Sequence, residues 1–167
     1  VGSSLGGMFG QRLGALHGSR LLSLTLANTT AVQPAPTVWQ QRIDAARAHG
    51  VVPLVEPTLQ RWFTAPFLAA GGETVECMRQ LAMSTPVDGF VGCATAIRDL
   101  DHAGLLGDIA VPTLVIAGAS DQATLPAEGA FIHRRIARSH LATLPAAHQC
   151  AAECPQAFVA AWQSFVH

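Results

Sequence analysis

The sequence predicts an α/β fold into which a helical segment is inserted. Two short apolar runs bounded by turn residues, at 21–27 and 111–118, have the composition of strands buried in a parallel sheet. Between them, residues 32–100 show helical spacing of apolar residues and no convincing strand alternation. We therefore predict a core made of residues 1–31 and 101–167, and a cap made of residues 32–100.

The other core elements follow from apolar spacing and from residues that end helices. Apolar residues recur at helical spacing from Met8 to Leu16, and Gly18 follows as a plausible stop, which predicts a first helix. Pro155 is well placed to begin the last helix, because proline is favoured in the first helical turn. The remaining predicted core elements are a helix at 127–138, a short strand at 140–144 and an amphipathic helix at 155–166.

The cap is predicted to begin where Pro34 and Pro36 interrupt the chain. Apolar and polar residues then alternate at helical spacing in several separate pieces. The predicted cap helices lie at 39–50, 57–62, 74–84 and 87–100.

The composition excludes some classes of protein. Half of the 167 residues are hydrophobic, 13% are charged and the formal net charge is −1. A chain of this size and composition can bury a real core, and it lacks the basic surface that nucleic-acid binding requires. No apolar run approaches the ~20 residues of a spanning helix, and the first residues do not look like a signal peptide, so we expect a cytoplasmic protein that binds neither nucleic acid nor membrane.

The cysteines do not form a recognisable metal or disulfide framework. Cys150 and Cys154 lie near His148, but this spacing is poor for a metal site, and no pair of C-x-x-C motifs occurs. We expect free thiols in a reducing cytosol, no metal and no cofactor. The other two cysteines are Cys77 and Cys93.

Residues 2–6 (GSSLG) fit the pattern G-x-S-x-G, which is typical of a nucleophile elbow. In such an elbow a strand turns sharply into a helix and holds Ser4 in a strained conformation, while the flanking glycines allow the two backbones to approach closely. The N–H of Leu5 then lies at a helix N-terminus, where it can stabilise an oxyanion. A flexible Gly/Ser-rich tail is the alternative reading of the same residues.

A nucleophilic serine needs a base and an acid that orients the base. Asp121 comes just after the predicted strand that ends at Gly118, and His148 comes after the predicted strand at 140–144. Functional side chains of α/β proteins gather at the carboxyl ends of the strands. The order Ser4, Asp121, His148 therefore predicts a catalytic triad.

The sequence resembles the α/β-hydrolase superfamily and, within it, the 3-oxoadipate enol-lactonases. The elbow at 2–8 (GSSLGGM) and the strand at 112–118 (PTLVIAG) with Asp121 are features of the whole superfamily. The stretches 61–64 (RWFT) and 92–101 (GCATAIRDLD) are narrower and indicate the enol-lactonase branch. The resemblance extends over nearly all of the chain.

The resemblance implies hydrolysis of a small anionic enol-lactone to 3-oxoadipate, a reaction of bacterial protocatechuate and catechol degradation. Ser4 would attack the lactone carbonyl, His148 would accept the proton and Asp121 would orient the imidazole. Alternatively, His148 activates water directly and Ser4 only donates a hydrogen bond. Other reactions of the superfamily, by a carboxylesterase, a haloperoxidase-like enzyme or a thioesterase, stay open at this point, as does an inactive fragment.

The cap is expected to form a lid and to supply substrate contacts. Trp39 lies just after the cap boundary and is a candidate substrate contact, with a core aromatic as the alternative role. Arg42, Arg61 and Arg98 are candidates for holding the substrate carboxylate, because arginine binds carboxylates in a bidentate manner. For each arginine an ordinary ion pair is the competing role, and Arg98 has Asp99 beside it.

The resemblance also implies that the chain corresponds to the carboxy-terminal part of such an enzyme. The elbow of these enzymes follows the fifth strand of the sheet, whereas here it stands at residues 2–6. A partial sheet exposes a long apolar edge. We therefore expect a complementary N-terminal chain that completes the sheet, and we expect activity to require it.

Overall fold

The computed structural model describes residues 1–166 and divides the chain into two units. One unit contains residues 1–32 together with the residues from 101 onward, and the other contains residues 33–100. In the first unit, Val32 and Asp101 form a bridge where the chain leaves and re-enters it.

The first unit is built on a four-stranded parallel sheet with the order β1-β2-β3-β4. Leu26 of β2 stands opposite Val115 of β3, and both side chains are buried, as expected for a parallel sheet covered on its faces. The α/β class predicted from the sequence is confirmed. β2 begins three residues later than the predicted strand because Leu21 closes a 3-10 turn at Gly18–Arg20. The strands are β1 (Gly2–Ser3), β2 (Leu24–Ala27), β3 (Thr113–Gly118) and β4 (Ser139–Leu144).

Nine α-helices are present within residues 1–166, and none of them combines the length and the apolar content needed to cross a bilayer. Three shorter 3-10 helices lie at Gly18–Arg20, Val52–Leu54 and Ala103–Asp108. The helices of the first unit are α1 (Leu5–His17), α7 (Pro126–Arg135), α8 (Cys150–Glu153) and α9 (Pro155–Val166). Those of the second unit are α2 (Pro36–His49), α3 (Val55–Trp62), α4 (Ala65–Ala70), α5 (Glu73–Met83) and α6 (Val87–Arg98).

The strands bury alternate residues in two separate clusters, because successive side chains of a strand point to opposite faces of the sheet. Val115 packs in one cluster with Leu26 and with Ile132 of α7. Ile116 packs in the other, which Phe158 of α9 covers. The two faces of the sheet are therefore covered by different helices, and the polar strand ends lie at its edge.

The second unit is a set of helices around a small core of its own. Phe63 is buried where α3 ends, and its ring stacks on that of Phe67 in α4, with 5.2 Å between the centroids. The six-residue α4 and the four-residue α8 were not predicted, because such short helices contain too few turns to show apolar periodicity. The buried apolar residues of this unit include Ile43, Ala46, Val55, Leu59, Val75 and Ala94.

The end of β3 approaches the loop after β4 so closely that only glycine fits at position 118. A Cβ on Gly118 would lie 2.1 Å from the carbonyl oxygen of Ala147 and 2.7 Å from that of Ala146. Both contacts are with backbone, which cannot move aside as the end of a flexible side chain can. This approach places the residues after β3 beside the residues after β4.

We predict that Gly118→Ala lowers the free energy of unfolding by about 1–3 kcal/mol, because it forces a backbone displacement. The matched control is Gly92→Ala in α6, where a Cβ meets no atom within 4 Å. This control should raise the free energy of unfolding by about 0.5–1 kcal/mol, because alanine favours a helix. Urea denaturation measures both values, and an equal change in the two variants would contradict the packing argument.

Candidate active site

Ser4 lies at the sharp turn between β1 and α1. Its φ of 52° and ψ of −118° are unusual for a residue with a side chain, and such strain costs on the order of 1–3 kcal/mol. Backbone hydrogen bonds hold the turn: Ser4 N donates to the Ala27 oxygen at 2.9 Å, and Gly7 N donates to the Ser4 oxygen at 2.9 Å. The residues therefore form the strained turn that the G-x-S-x-G pattern predicts.

Two glycines allow close approach at this turn, although only one of them is the glycine that the pattern predicts. A Cβ on Gly2 would lie 2.3 Å from the Gly6 carbonyl oxygen, and one on Gly7 would lie 2.7 Å from the Thr29 side chain. The backbones of Gly2 and Gly6 thus approach closely, as expected, but a side chain at position 6 would itself find space, because a Cβ there meets no atom within 4 Å. Gly7 leaves no such space, since its side of α1 faces Thr29 in the chain that follows β2.

Ser4, His148 and Asp121 are joined by hydrogen bonds. The His148 Nε2 atom is 3.0 Å from Ser4 Oγ, and its Nδ1 atom is 2.9 Å from Asp121 Oδ2. His148 and Asp121 are 3% and 2% exposed, so bulk water does not compete strongly for these bonds. Because an ionised carboxylate only accepts hydrogen bonds, Nδ1 carries the proton, and Nε2 accepts a hydrogen bond from the Ser4 hydroxyl.

The Asp121 carboxylate is surrounded by donors. Its Oδ1 accepts from the N–H groups of Ala123 and Thr124 at 2.8 and 2.9 Å. Its Oδ2 accepts from Thr124 Oγ1, His148 Nδ1 and Asn28 Nδ2 at 2.8, 2.9 and 3.1 Å. Burial by itself raises the pKa of Asp121, but these hydrogen bonds and the adjacent imidazole outweigh it and hold the pKa below its ordinary value. The carboxylate is therefore ionised and fixed at neutral pH.

Three residues around this carboxylate are not among the predicted site residues: Asn28, Thr124 and Glu128. Asn28 follows β2 directly, where the sequence predicts only the end of a strand. Thr124 follows Asp121 by three residues, a spacing typical of a capping turn. Glu128 lies in the first turn of α7, and burial raises the pKa of its carboxyl group. For Asn28 and Thr124, the position after a strand was the available signal.

The Leu5 N–H, which the sequence predicts as an oxyanion donor, lies at the start of α1. Leu5 is the first residue of α1, and the first N–H groups of a helix have no partner within the helix. The same helix end carries a partial positive charge. A tetrahedral intermediate on Ser4 would develop its negative charge beside these groups.

The cysteines near His148 are packing residues. Cys150 is buried, its Sγ donates to the Ala147 oxygen at 3.2 Å, and burial raises the pKa of its thiol to about 12. Cys154 is half-buried and donates to the Cys150 oxygen. Within residues 1–166, no three side chains of histidine, cysteine, aspartate or glutamate are grouped so that they could hold a metal ion.

Among the candidate arginines of the second unit, Arg42 is half-buried without a carboxylate partner in the described chain. Its Nη2 donates to Thr58 Oγ1 at 2.9 Å, whereas its buried Nε has no hydrogen-bond partner. Its guanidinium lies 5.1 Å from the ring centroid of the half-buried Trp39. Burial, and then repulsion from Arg61, lowers the pKa of Arg42 to about 10.

The other two candidate arginines have their own partners. Arg98 makes a bidentate pair with Asp99, with both distances 2.7 Å, and donates to Gln40 at 2.5 Å. Arg61 donates from Nε to the Pro57 oxygen at 3.4 Å, and burial lowers the pKa of its guanidinium. The ion pair expected as the competing role therefore occurs at Arg98.

The chain is similar to proteins named for lactone and ester hydrolysis, although no family model matches it. The 3-oxoadipate enol-lactonase 2 of Acinetobacter baylyi is 35% identical over 157 residues, which cover 94% of this chain and 59% of that protein. The enol-lactonase of Burkholderia xenovorans has a TM-score of 0.96 and 33% identity over 99% of this chain and 64% of that structure. The structure of a hydrolase from Pseudomonas aeruginosa has a TM-score of 0.94 and 38% identity, and the match covers 99% of this chain and 63% of that structure.

The chain thus spans about three fifths of the length of the proteins that it matches. Over that length, the parallel sheet, the strained serine after β1 and the histidine and aspartate after later strands occur together. This combination is a property of one fold, in which a strand, an elbow and a helix present the serine at the edge of the sheet. The chain therefore belongs to the α/β-hydrolase superfamily, and within it the chain resembles the 3-oxoadipate enol-lactonases.

Proposed function

We propose that the chain carries the catalytic residues of a serine hydrolase that opens 3-oxoadipate enol-lactone to 3-oxoadipate in the degradation of protocatechuate and catechol. The observation that carries the proposal is the line of hydrogen bonds from Ser4 Oγ through His148 to Asp121. The similarity to proteins named as enol-lactonases supports this substrate over other esters.

The first half of the reaction forms an acyl-enzyme. Ser4 Oγ bonds to the lactone carbonyl carbon while its proton moves to His148 Nε2, and Asp121 stabilises the imidazolium that forms. The developing oxyanion is stabilised at the Leu5 N–H. The ring C–O bond then breaks, and the leaving oxygen takes the proton from His148. The enol released in this way rearranges to the ketone.

The second half returns the enzyme to its starting state. Water attacks the acyl carbon and gives a proton to His148 Nε2, which passes it to Ser4 Oγ as the ester bond breaks. The strained turn at Ser4 favours both halves, because it holds the hydroxyl within hydrogen-bond distance of the imidazole.

We predict that Ser4→Ala, assayed together with the complementary N-terminal chain proposed below, lowers kcat by about 1,000-fold or more, because the nucleophile is lost. Mass spectrometry of wild-type protein treated with a fluorophosphonate should find the adduct on Ser4. Ser3→Ala is the matched control, since Ser3 is the exposed neighbour in β1, and it should keep its activity and the adduct. A substantial rate in Ser4→Ala with no adduct in the wild type would instead favour direct attack by water that His148 activates.

Arg42 is proposed as the residue that holds the carboxylate of the substrate. The Arg42 side chain is half-buried and its Nε has no hydrogen-bond partner, so folding has already removed water from it. Binding of an anion is therefore favourable, because the arginine pays little further desolvation cost and gains a charge-assisted hydrogen bond. The nearby Arg61 adds positive charge. Trp39, whose ring lies against the guanidinium, is proposed to fix its orientation and to contact substrate.

We predict that Arg42→Gln, assayed with the same complementary chain, raises KM for the anionic enol-lactone by about 10- to 100-fold, because a charge-assisted hydrogen bond is lost. KM for a neutral lactone that lacks the carboxylate should change little. Arg98→Gln, in which an exposed ion pair is removed, is the control and should leave KM within about 2-fold. Equal losses on both substrates would contradict this role, and a preference for neutral esters in the wild type would favour a carboxylesterase.

A complementary N-terminal chain is proposed as the partner of this one. Within residues 1–166, β1 stands at one end of the strand order and pairs only with β2. On α1, apolar side chains three and four positions apart are exposed on one face, which is unusual for a helix of a complete fold. The chain leaves about two fifths of the length of the matched proteins uncovered, and that part would supply a further parallel strand. The exposed residues are Phe9 at 65%, Leu13 at 38% and Leu16 at 53%.

We predict that the chain expressed alone binds a hydrophobic dye and lacks lactonase activity. Co-expression with a polypeptide that corresponds to the amino-terminal two fifths of the matched enol-lactonases should abolish dye binding, give a stable complex in size-exclusion chromatography and yield activity, because the apolar edge is then covered. Phe9→Asp should weaken this complex, whereas Leu81→Asp, at an exposed apolar residue of α5, should not. A chain that is monomeric and active alone would refute the proposed partner.

A further inference from the structure

Asn28 is a buried polar residue in a conformation that residues with side chains adopt rarely. Its φ is 45°, and Ser4 is the other non-glycine residue with positive φ within residues 1–166. Asn28 is 2% exposed, and its backbone N–H donates to the Ile116 oxygen at 2.8 Å. Left-handed geometry at a buried site persists when the contacts that it permits compensate for the strain.

The contacts that this conformation permits join two loops of the site. Asn28 Nδ2 lies 3.1 Å from Asp121 Oδ2 and 3.2 Å from the Ala147 carbonyl oxygen. Asp121 follows β3, while Ala147 is the residue before His148, so a single amide group bridges the acid and the loop of the base. An NH2 group has two N–H bonds and can serve both acceptors at once.

The bridge acts on a carboxylate in a crowded polar environment. The titratable groups that influence Asp121 or lie close to it are His148, the Glu128 carboxyl on α7 and the Cys150 thiol on α8. Glu153 of α8 is nearby too, because its Oε2 accepts from the Ala147 N–H at 3.0 Å. With a second carboxyl group close by, a neutral donor at position 28 stabilises the negative form of Asp121 without adding charge.

We propose that Asn28 is a positioning residue for the reaction proposed above, and that its amide holds the Asp121 carboxylate and the loop of His148 in register. This inference rests on the proposed hydrolase function. Asn28 acts through Asp121 and does not touch the reacting atoms. Glycine would keep the backbone conformation and lose both donors, and aspartate would keep the shape but add a charge and an acceptor.

Two variants separate these properties while preserving the backbone, since glycine and aspartate both tolerate a left-handed φ. We expect Asn28→Gly to lower kcat by about 10- to 100-fold with KM within about 3-fold, because the hydrogen bond to the orienting acid is lost. The carboxyl 13C signal of Asp121 should then titrate at a higher pH. In Asn28→Asp the two carboxyl groups should titrate as a pair, at a midpoint about 1–3 units higher than in the wild type.

Gln122→Ala is the control, because Gln122 is an exposed amide residue directly after Asp121. This substitution should change kcat by less than about 2-fold and the titration midpoint of Asp121 by less than ~0.2 unit. Such small effects are usual for exposed residues that make no buried hydrogen bond. Circular dichroism confirms that each variant is folded. An unchanged kcat in both Asn28 variants would overturn the inference, as would a lower kcat with an unchanged carboxyl titration, since that pattern indicates a merely structural role.

The carboxyl titration also keeps this inference separate from the proposed function. If the wild-type protein, supplied with its complementary chain, opens no lactone or ester in a Ser4-dependent way, the proposed function is wrong. The kcat comparison of the Asn28 variants then has nothing to measure. The 13C titration of wild type and Asn28→Gly still decides whether the amide stabilises the Asp121 carboxylate. An equal midpoint in the two proteins would overturn the bridge whatever the activity.

Discussion

The parallel alignment of β1, β2 and β3 is the constraint on which the candidate site depends. Because parallel strands end at the same edge, the residues that follow them emerge side by side. Ser4, Asn28 and Asp121 follow these three strands, and His148 follows β4 after a short loop. Side chains as far apart in the chain as Ser4 and His148, which are separated by 144 positions, thus come within 3.0 Å.

Close packing of the backbone at the same edge brings the loops after β3 and β4 into contact. The missing side chain of Gly118 allows the Ala147 carbonyl to approach β3, and the Asn28 amide binds that same carbonyl. The two strained residues, Ser4 and Asn28, are each fixed by hydrogen bonds to a neighbouring strand or its end. Backbone strain and close packing occur at the strand ends, where the side chains of the candidate site must be oriented toward one another. The interiors of the strands are regular and apolar.

The charges of the second unit follow a different principle. Arg79 and Arg98 are paired with carboxylates, as surface arginines commonly are, and such pairs contribute little to stability. Arg42 is half-buried beside an aromatic ring, with an orphaned Nε and a lowered pKa caused chiefly by burial. A cation in that condition is costly for the isolated fold and useful for recognising an anion, which is why Arg42 and not Arg98 is the proposed carboxylate ligand.

The sequence by itself determined what depends on local spacing. Apolar periodicity was sufficient to predict the long helices, and a continuous apolar run indicated β3. The pattern at 2–6 predicted the turn at Ser4. It did not reveal the short α4 and α8, the late start of β2 or the close approach at Gly7. Only the tertiary structure decided that Asn28 bridges Asp121 and Ala147, and that Arg42 has no carboxylate partner within residues 1–166. The physical reason is that hydrogen-bond partners and burial are set by packing between segments far apart in sequence, for which local spacing carries no signal.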